Sequence, residues 1–240
     1  NDGNRWQVMV GMRGLNAAPY GKGWGTMSVD PAFVSEFKSG DTRRSASIID
    51  WEAEGITSLA AFGDTYRDQR EYTGYTIKKY SPLCYADGTS ASKEDGSGDF
   101  QLSNHQDYVI MRYADVLLMA AELGSPKAQE YFDEVRKRAY TSEGTLSANY
   151  SQLPVTKENI MQERRLEFAF ESINYWDLLR QGVDYAASKL ALSEKQVYSG
   201  GIVDFITISA DRIRTTKGLS QIPYNQITLS NGTLVQNAGW

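Results

Sequence analysis

Within ERRLEFAFESINYWDLLRQG, residues 163–182, three glutamates recur at every fourth position: Glu163, Glu167 and Glu171. Arg164 and Arg165 sit beside the first of them. Carboxylates near guanidiniums are the material of glycoside hydrolysis, in which one acid protonates the leaving oxygen and a second carboxylate acts across the bond. That chemistry needs two carboxyl groups facing each other across a cleft, about 5 to 9 Å apart. Glutamates spaced by four on one helix point the same way instead, along a single wall. At ~100° per residue, Leu166, Ala169, Phe170, Ile173 and Trp176 form one apolar stripe. Phe168, Tyr175 and Leu179 form a second, nearly opposite. A helix apolar on two faces is sandwiched between neighbours. Arg165 then falls between the stripes, and Asp177 and Arg180 within the first, so these charges are expected to be buried and paired. The block reads as scaffolding, with a possible break at Ser172-Ile173-Asn174.

Other constellations are weaker. His105 with Ser103 and Asp107 invites a triad, but residues two apart are not placed as nucleophile, base and orienter. Asp87, Glu94, Asp95 and Asp99 supply oxygen ligands without the spacing of a calcium loop. The run Gly21-Lys22-Gly23-Trp24-Gly25 lacks the spacing of a phosphate loop and its following Lys-Ser/Thr. It does place a tryptophan where nothing flanking can bury it locally. No metal site and no cofactor motif is read from the chain. A single cysteine, Cys84, excludes an internal disulfide, and a single histidine excludes most zinc sites.

The 240 residues suffice for one large domain or two small ones, and the net charge of −5 argues against a nucleic-acid partner. No apolar run approaches the ~20 residues that span a bilayer. Fifteen tyrosines and five tryptophans are plentiful, and several lie in polar or glycine-rich stretches. Such rings stack on sugars while keeping a wet edge.

Three regions follow from the patterning. Residues 1–104 form an irregular α+β part with glycine-rich turns. Its one helix-like run is DPAFVSEFKSG, with Asp30 as cap, Pro31 in the first turn and Gly40 as stop. Residues 105–182 are helical. A first amphipathic helix is expected from His105 to Glu122, with Val109, Ile110, Tyr113, Val116, Leu117, Ala120 and Ala121 at three- and four-residue steps. Gly124 ends it, and Ser125-Pro126 begins a second helix whose inner face is Ala128, Phe132, Val135 and Ala139, giving an antiparallel hairpin. A third helical region runs from a cap at Thr156 to about Arg180. Residues 183–240 return to short strands and turns.

The same spans carry a resemblance. HQDYVIMRYADVLLMAAEL (105–123), EVRKR (134–138), residues 156–165 and WDLLRQG (176–182) are similar to the C-terminal half of the SusD/RagB family. So are the ending IPYNQITLSNGTLVQNAGW and the early VDPAFVSEFKSGDTRRSASI, in which Asp41 and Arg43 match the family's pattern. Leu123 and Gly124 stand where alanine is usual, and Ser172 where glycine is usual. The resemblance implies a mainly α fold with irregular loops, short β elements and tetratricopeptide-like helix pairs, with α+β as the alternative. It implies a non-enzymatic, lipid-anchored protein of the bacterial outer membrane that binds glycan or another nutrient and hands it to a SusC-type TonB-dependent transporter. It also implies that residues 1–240 are the C-terminal half of a longer protein, whose N-terminal helical-repeat half is a further partner. The anchoring cysteine would lie outside this chain. A glycoside-processing enzyme, or a family member binding peptides or serving a structural role, are the alternatives. The ligand candidates are the loop aromatics Tyr20, Trp24 and Trp51, with Asn16 and Arg67 as polar partners for sugar hydroxyls.

Overall fold

The computed structural model describes residues 5–56, 58–59, 64–65, 69–92, 99, 101–102, 106–200 and 202–240. The chain divides into two compact units, residues 1–171 with 197–204, and residues 172–196 with 205–240. The first opens with α1 (Trp6–Val10), β1 (Met12–Arg13), β2 (Lys22–Gly23), α2 (Pro31–Val34) and α3 (Arg43–Ser47). Short strands β3 (Ile48–Asp50), β4 (Ser58–Leu59), β5 (Asp64–Thr65) and β6 (Tyr75–Ile77) follow. The helices α4 (Tyr113–Glu122) and α5 (Ala128–Ala139) come next. A small hairpin, β7 (Thr141–Ser142) with β8 (Thr145–Leu146), then leads to α6 (Lys157–Glu167). Every sheet among the described residues has two strands, so the fold is mainly α with short β elements.

β3 and β6 pair antiparallel, Ile48 opposite Ile77 and Ile49 opposite Thr76. Because side chains alternate across a strand, Ile48 joins one apolar cluster with Val10, Val34, Phe37 and Leu166. Ile49 joins the other, with Met12, Leu15, Tyr20 and Trp51. The early helix starts as its sequence dictates: Asp30 accepts a hydrogen bond from the Ala32 amide at 2.9 Å, with Pro31 in the first turn.

α4 and α5 pack as the expected hairpin, and Phe132, Val135 and Ala139 are buried on α5. α4, however, begins at Tyr113 rather than His105, which lies outside the described residues. Arg112 has extended backbone and sends its guanidinium to Glu167 and Glu171, while Tyr108 stacks on Tyr80 with centroids 6.0 Å apart. These tertiary contacts override the helical period over 106–112. The buried face of α4 is Ala114, Leu117, Leu118 and Ala121, while Val109, Ile110, Tyr113 and Val116 are exposed.

Thr156 caps α6, its hydroxyl accepting from the Asn159 amide at 3.2 Å. The helix does not run on to Arg180. Phe170 and Ser172 take left-handed backbone, at φ 65° and 62°, and break it. The two stripes therefore do not lie on one continuous helix, and Trp176 is 65% exposed.

The glutamates of the opening stretch form a buried ionic lattice. Glu163 accepts from Arg43 at 2.6 Å and from Arg136 at 3.0 Å. Arg43 also holds Asp41 in a two-pronged pair, at 2.9 and 2.7 Å, and reaches Glu167 at 3.2 Å. Glu167 is further paired with Arg112 and Arg138, and Glu171 with Arg112 and Lys79. Burial lowers the Lys79 ammonium from its usual value, against the pull of Glu171. Arg164, 3% exposed at its side chain, pairs with Asp115 at 2.6 Å, and the guanidiniums of Arg112 and Arg164 both lie over the Phe168 ring. Arg165 is not the trapped charge its wheel position implies. It is half-buried, pairs with Glu36 at 2.9–3.2 Å and covers Phe33. The lattice ties α3, α4, α5 and Lys79, two residues beyond β6, to α6.

The second unit holds α7 (Asn174–Arg180), α8 (Val183–Leu190), α9 (Ala210–Thr216) and α10 (Tyr224–Leu229). β9 (Leu192–Ser199) and β10 (Ile202–Ile208) pair with each other. The tail is thus more helical than its sequence implies. IPYNQITL contains a short helix started by Pro223, whose fixed φ suits that position. The end of the chain is pinned. Trp240 donates to the Leu219 carbonyl at 2.9 Å and lies 4.1 Å from the Arg212 guanidinium, and Gln236 brackets the Ile222 backbone.

Candidate functional site

The glycine-rich run 11–25 has a physical reason for its glycines. β1 and β2 lie side by side, Met12 opposite Lys22, and the backbone of Gly23 passes close over α1 and Gly11. A Cβ at Gly23 would lie 2.5 Å from the Val8 carbonyl oxygen and 2.6 Å from the Gly11 Cα. Only glycine allows that approach. Gly23→Ala should lower stability by about 1–3 kcal/mol through overpacking, read as a drop in the urea midpoint.

The run is then zipped to residues 82–91. Gly21 donates to the Pro82 carbonyl at 2.7 Å, Cys84 to the Pro19 carbonyl at 2.9 Å, and the Cys84 thiol to the Tyr20 carbonyl at 3.0 Å. Asn16 joins both segments: its amide donates to the Gly88 carbonyl at 2.9 Å, and its oxygen accepts from the Lys22 amide at 2.7 Å. The turn at 87–89 is fixed by the Asp87 carboxylate, which accepts from the Thr89 amide and hydroxyl and is held below its ordinary pKa by those bonds.

Between the two segments lies a cleft of about 310 Å³, lined by Asn16, Gly21, Lys22, Leu83, Gly88, Ser90 and Asp99 among others. Burial alternates along the strand, with Gly21 and Gly23 inside and Lys22 and Trp24 half-exposed, so the ammonium and the indole share one side. Trp24 is held by its backbone, its amide donating to Val8 at 2.6 Å and its carbonyl accepting from Arg13 at 3.2 Å. Arg13 is in turn clamped by the Gln69 amide at 3.0 Å on both its backbone groups. A cleft carrying an amine, a hydroxyl, a carboxylate and peptide groups suits a hydroxyl-rich ligand. Trp24 does not line it, and the Arg5 guanidinium lies 6.0 Å from the centroid of its ring.

The other sequence candidates fare differently. Trp51 is 1% exposed, donates to the Thr76 hydroxyl at 2.8 Å and meets Tyr72 edge-on, so it is core and not a stacking platform. Tyr20 is 5% exposed, and its hydroxyl donates to Glu54 at 2.5 Å. Burial and that carboxylate raise its pKa, and Lys78 lies 5.5 Å from its ring, which leaves no open face for a sugar. Arg67 lies outside the described residues. Asn16 lines the cleft but spends its amide on the loops. Ser90 carries no signal in sequence, and nothing in sequence places Lys22 or Asp99 beside it, because two loops distant in the chain bring them together.

The chain matches the model of the SusD family over residues 52–240. It is 27% identical over 184 residues to SusD-like protein P2 of Formosa agariphila, covering 72% of this chain and 34% of that protein. Among solved structures it is similar to surface glycan-binding protein A from Bacteroides thetaiotaomicron in complex with laminarihexaose. That likeness has a TM-score of 0.74 and 26% identity, over 99% of this chain and 47% of that one. The Bacteroides fluxus surface glycan-binding protein A gives a TM-score of 0.72 and 28% identity, over 99% and 46%. A laminarin-binding SusD-like protein gives 0.66 and 28%, over 99% and 44%. The chain thus spans about a third of the curated relative and about half of the solved ones. With the family model covering most of its length, this chain belongs to the SusD family.

Proposed function

We propose that this protein binds an oligosaccharide of the laminarin class at the bacterial cell surface and passes it to a SusC-type TonB-dependent transporter. It does so without covalent chemistry of its own. The observation that carries the reading is the likeness, over 99% of the chain, to surface glycan-binding proteins, one of them with laminarihexaose bound. In this reading the protein sits on the outer membrane through a lipid anchor outside these residues. Glu163, Glu167 and Glu171 support the non-enzymatic part, since each is engaged by arginine or lysine side chains along one wall. Trp24 provides the stacking face, and the cleft beside Lys22 receives hydroxyls.

Titration calorimetry with laminarihexaose tests it. Wild-type protein should release heat on binding, and Trp24→Ala should weaken affinity roughly three- to tenfold, the value of one aromatic stack. Because Trp24 is half-exposed, the variant's melting temperature should stay close to wild type. Equal affinities would remove Trp24 from the site. Silence toward laminarihexaose and other glycans would sink the glycan reading and favour a peptide ligand. New reducing ends in the mixture would reinstate an enzyme.

A further inference from the structure

Asn231 is the one asparagine in the chain that is followed by glycine. The pair lies in the turn after α10, with positive φ at both residues, 50° at Asn231 and 84° at Gly232. Asparagine tolerates that backbone and glycine adopts it freely. Both residues are exposed, and a Cβ built on Gly232 would find no atom within 4 Å. The turn is held by their neighbours and by the backbone amide of Asn231. That amide donates to the Thr228 carbonyl at 3.2 Å, Thr233 donates to the Ser230 carbonyl at 3.2 Å, and Leu234 to the Ser230 hydroxyl at 2.9 Å. Among the described residues, nothing bonds the Asn231 side chain or the Gly232 N–H.

Elsewhere the corresponding atoms are tied down. Asp87-Gly88 is a like pair, but its carboxylate accepts from the Thr89 amide and hydroxyl, and the Gly88 amide donates to the Tyr85 carbonyl at 2.9 Å. Asn16, Asn149, Asn159 and Asn237 each donate their side-chain amide to a neighbour, and each is followed by a residue with a Cβ.

We propose that Asn231-Gly232 is a site of self-modification with water as co-reactant, converting Asn231 to aspartate and isoaspartate. Hydroxide removes the proton from the Gly232 amide, and that nitrogen attacks the side-chain carbon Cγ of Asn231. The new C–N bond closes a five-membered succinimide. The bond from Cγ to Nδ2 breaks, and the nitrogen leaves as ammonia with a proton from water. Water then opens the ring. Opening at Cγ gives aspartate, and opening at the backbone carbonyl sends the chain through the side chain as isoaspartate. In sum one water is consumed and one ammonia released, with no oxidation. Glycine suits the attacking position because no Cβ crowds its nitrogen as the ring closes. The product adds a negative charge to the surface, and its isoaspartate form lengthens the backbone between Ser230 and Thr233. The inference stands apart from the glycan reading, and its test contains no sugar.

The protein is held near neutral pH at body temperature, in native buffer and in guanidinium chloride, and sampled over several days. Trypsin then releases a peptide beginning at Gly218, after Lys217, which contains Asn225, Asn231 and Asn237 together. A digest at zero time sets the background. Mass spectrometry should find a gain of roughly 1 Da, the exchange of an amide for an acid. Fragmentation should place it at Asn231, with Asn225 and Asn237 unchanged. The product should split into two peaks, one of which takes a methyl group from S-adenosylmethionine through an isoaspartate methyltransferase. The native rate should lie within about threefold of the denatured rate, as expected of a turn that need not open before it reacts. Asn231→Gln, whose longer side chain would have to close a six-membered ring, should remove the gain at that position. Native protein that reacts more than about tenfold slower than denatured protein overturns the proposal, for the fold then shields the turn. A gain sited at Asn225 or Asn237 instead overturns it as well.

Discussion

Glu163→Ala should destabilise the protein by about 3–5 kcal/mol, the usual cost of removing one partner from a buried ionic cluster. The Glu163 side chain is 2% exposed, and its two oxygens serve different helices, one bonded to Arg43 and one to Arg136. Arg43 keeps Asp41 and Glu167 as partners after the change. Arg136 keeps the Ser151 carbonyl and the face of the Tyr140 ring, neither of them an anion, so most of the loss falls on its uncompensated charge. Glu163→Gln preserves the shape and should fall between wild type and alanine. Arg165→Ala provides the contrast. Its pair with Glu36 is more than a quarter exposed on both sides, so roughly 1 kcal/mol or less is at stake. Urea unfolding of the three variants orders these effects. Wild-type stability in Glu163→Ala would show that the lattice does not hold the fold.

Local signals were legible in the sequence, and long-range ones were not. Asp30 and Thr156 act as caps because a hydroxyl or carboxylate beside the first free amides needs no tertiary partner. The α4–α5 hairpin followed from period and from Gly124, whose φ of +75° stops the helix. The start of α4 departs from the sequence pattern because the apolar period continues through 109–111, while Arg112 is drawn to carboxylates 55 and 59 residues away. The break after α6 was visible only as a suspicion at Ser172. Its second left-handed residue, Phe170, has a side chain that gives no hint of it. The site shows the same division. A tryptophan among glycines is detectable, and Trp24 is indeed half-exposed. Trp51 and Tyr20 look the same in one dimension, and only the pairing of β3 with β6 and the contact to Glu54 send them into the interior.

Acid should loosen this fold through Glu167. Burial alone would raise its pKa, but the charges of Arg112 and Arg138 and the hydrogen bonds they donate outweigh it and bring the carboxyl down to about 2. Arg43 adds a third cation at 3.2 Å. The folded pKa lies below the unfolded value of 4.5, so the fold favours the ionised form. The stabilisation is fully present above about pH 4.5 and is lost as pH falls toward about 2. At about 1.4 kcal/mol per pKa unit, this one group contributes on the order of 3 kcal/mol across that window. Urea midpoints measured from pH 6 down to 2 should therefore drop steeply below about 4.5 in the wild type. Glu167→Gln should start lower at pH 6, since Arg112 and Arg138 lose their shared anion, yet decline less over the same interval. Parallel pH profiles for the two proteins would mean that Glu167 keeps an ordinary pKa and that other carboxylates carry the acid sensitivity.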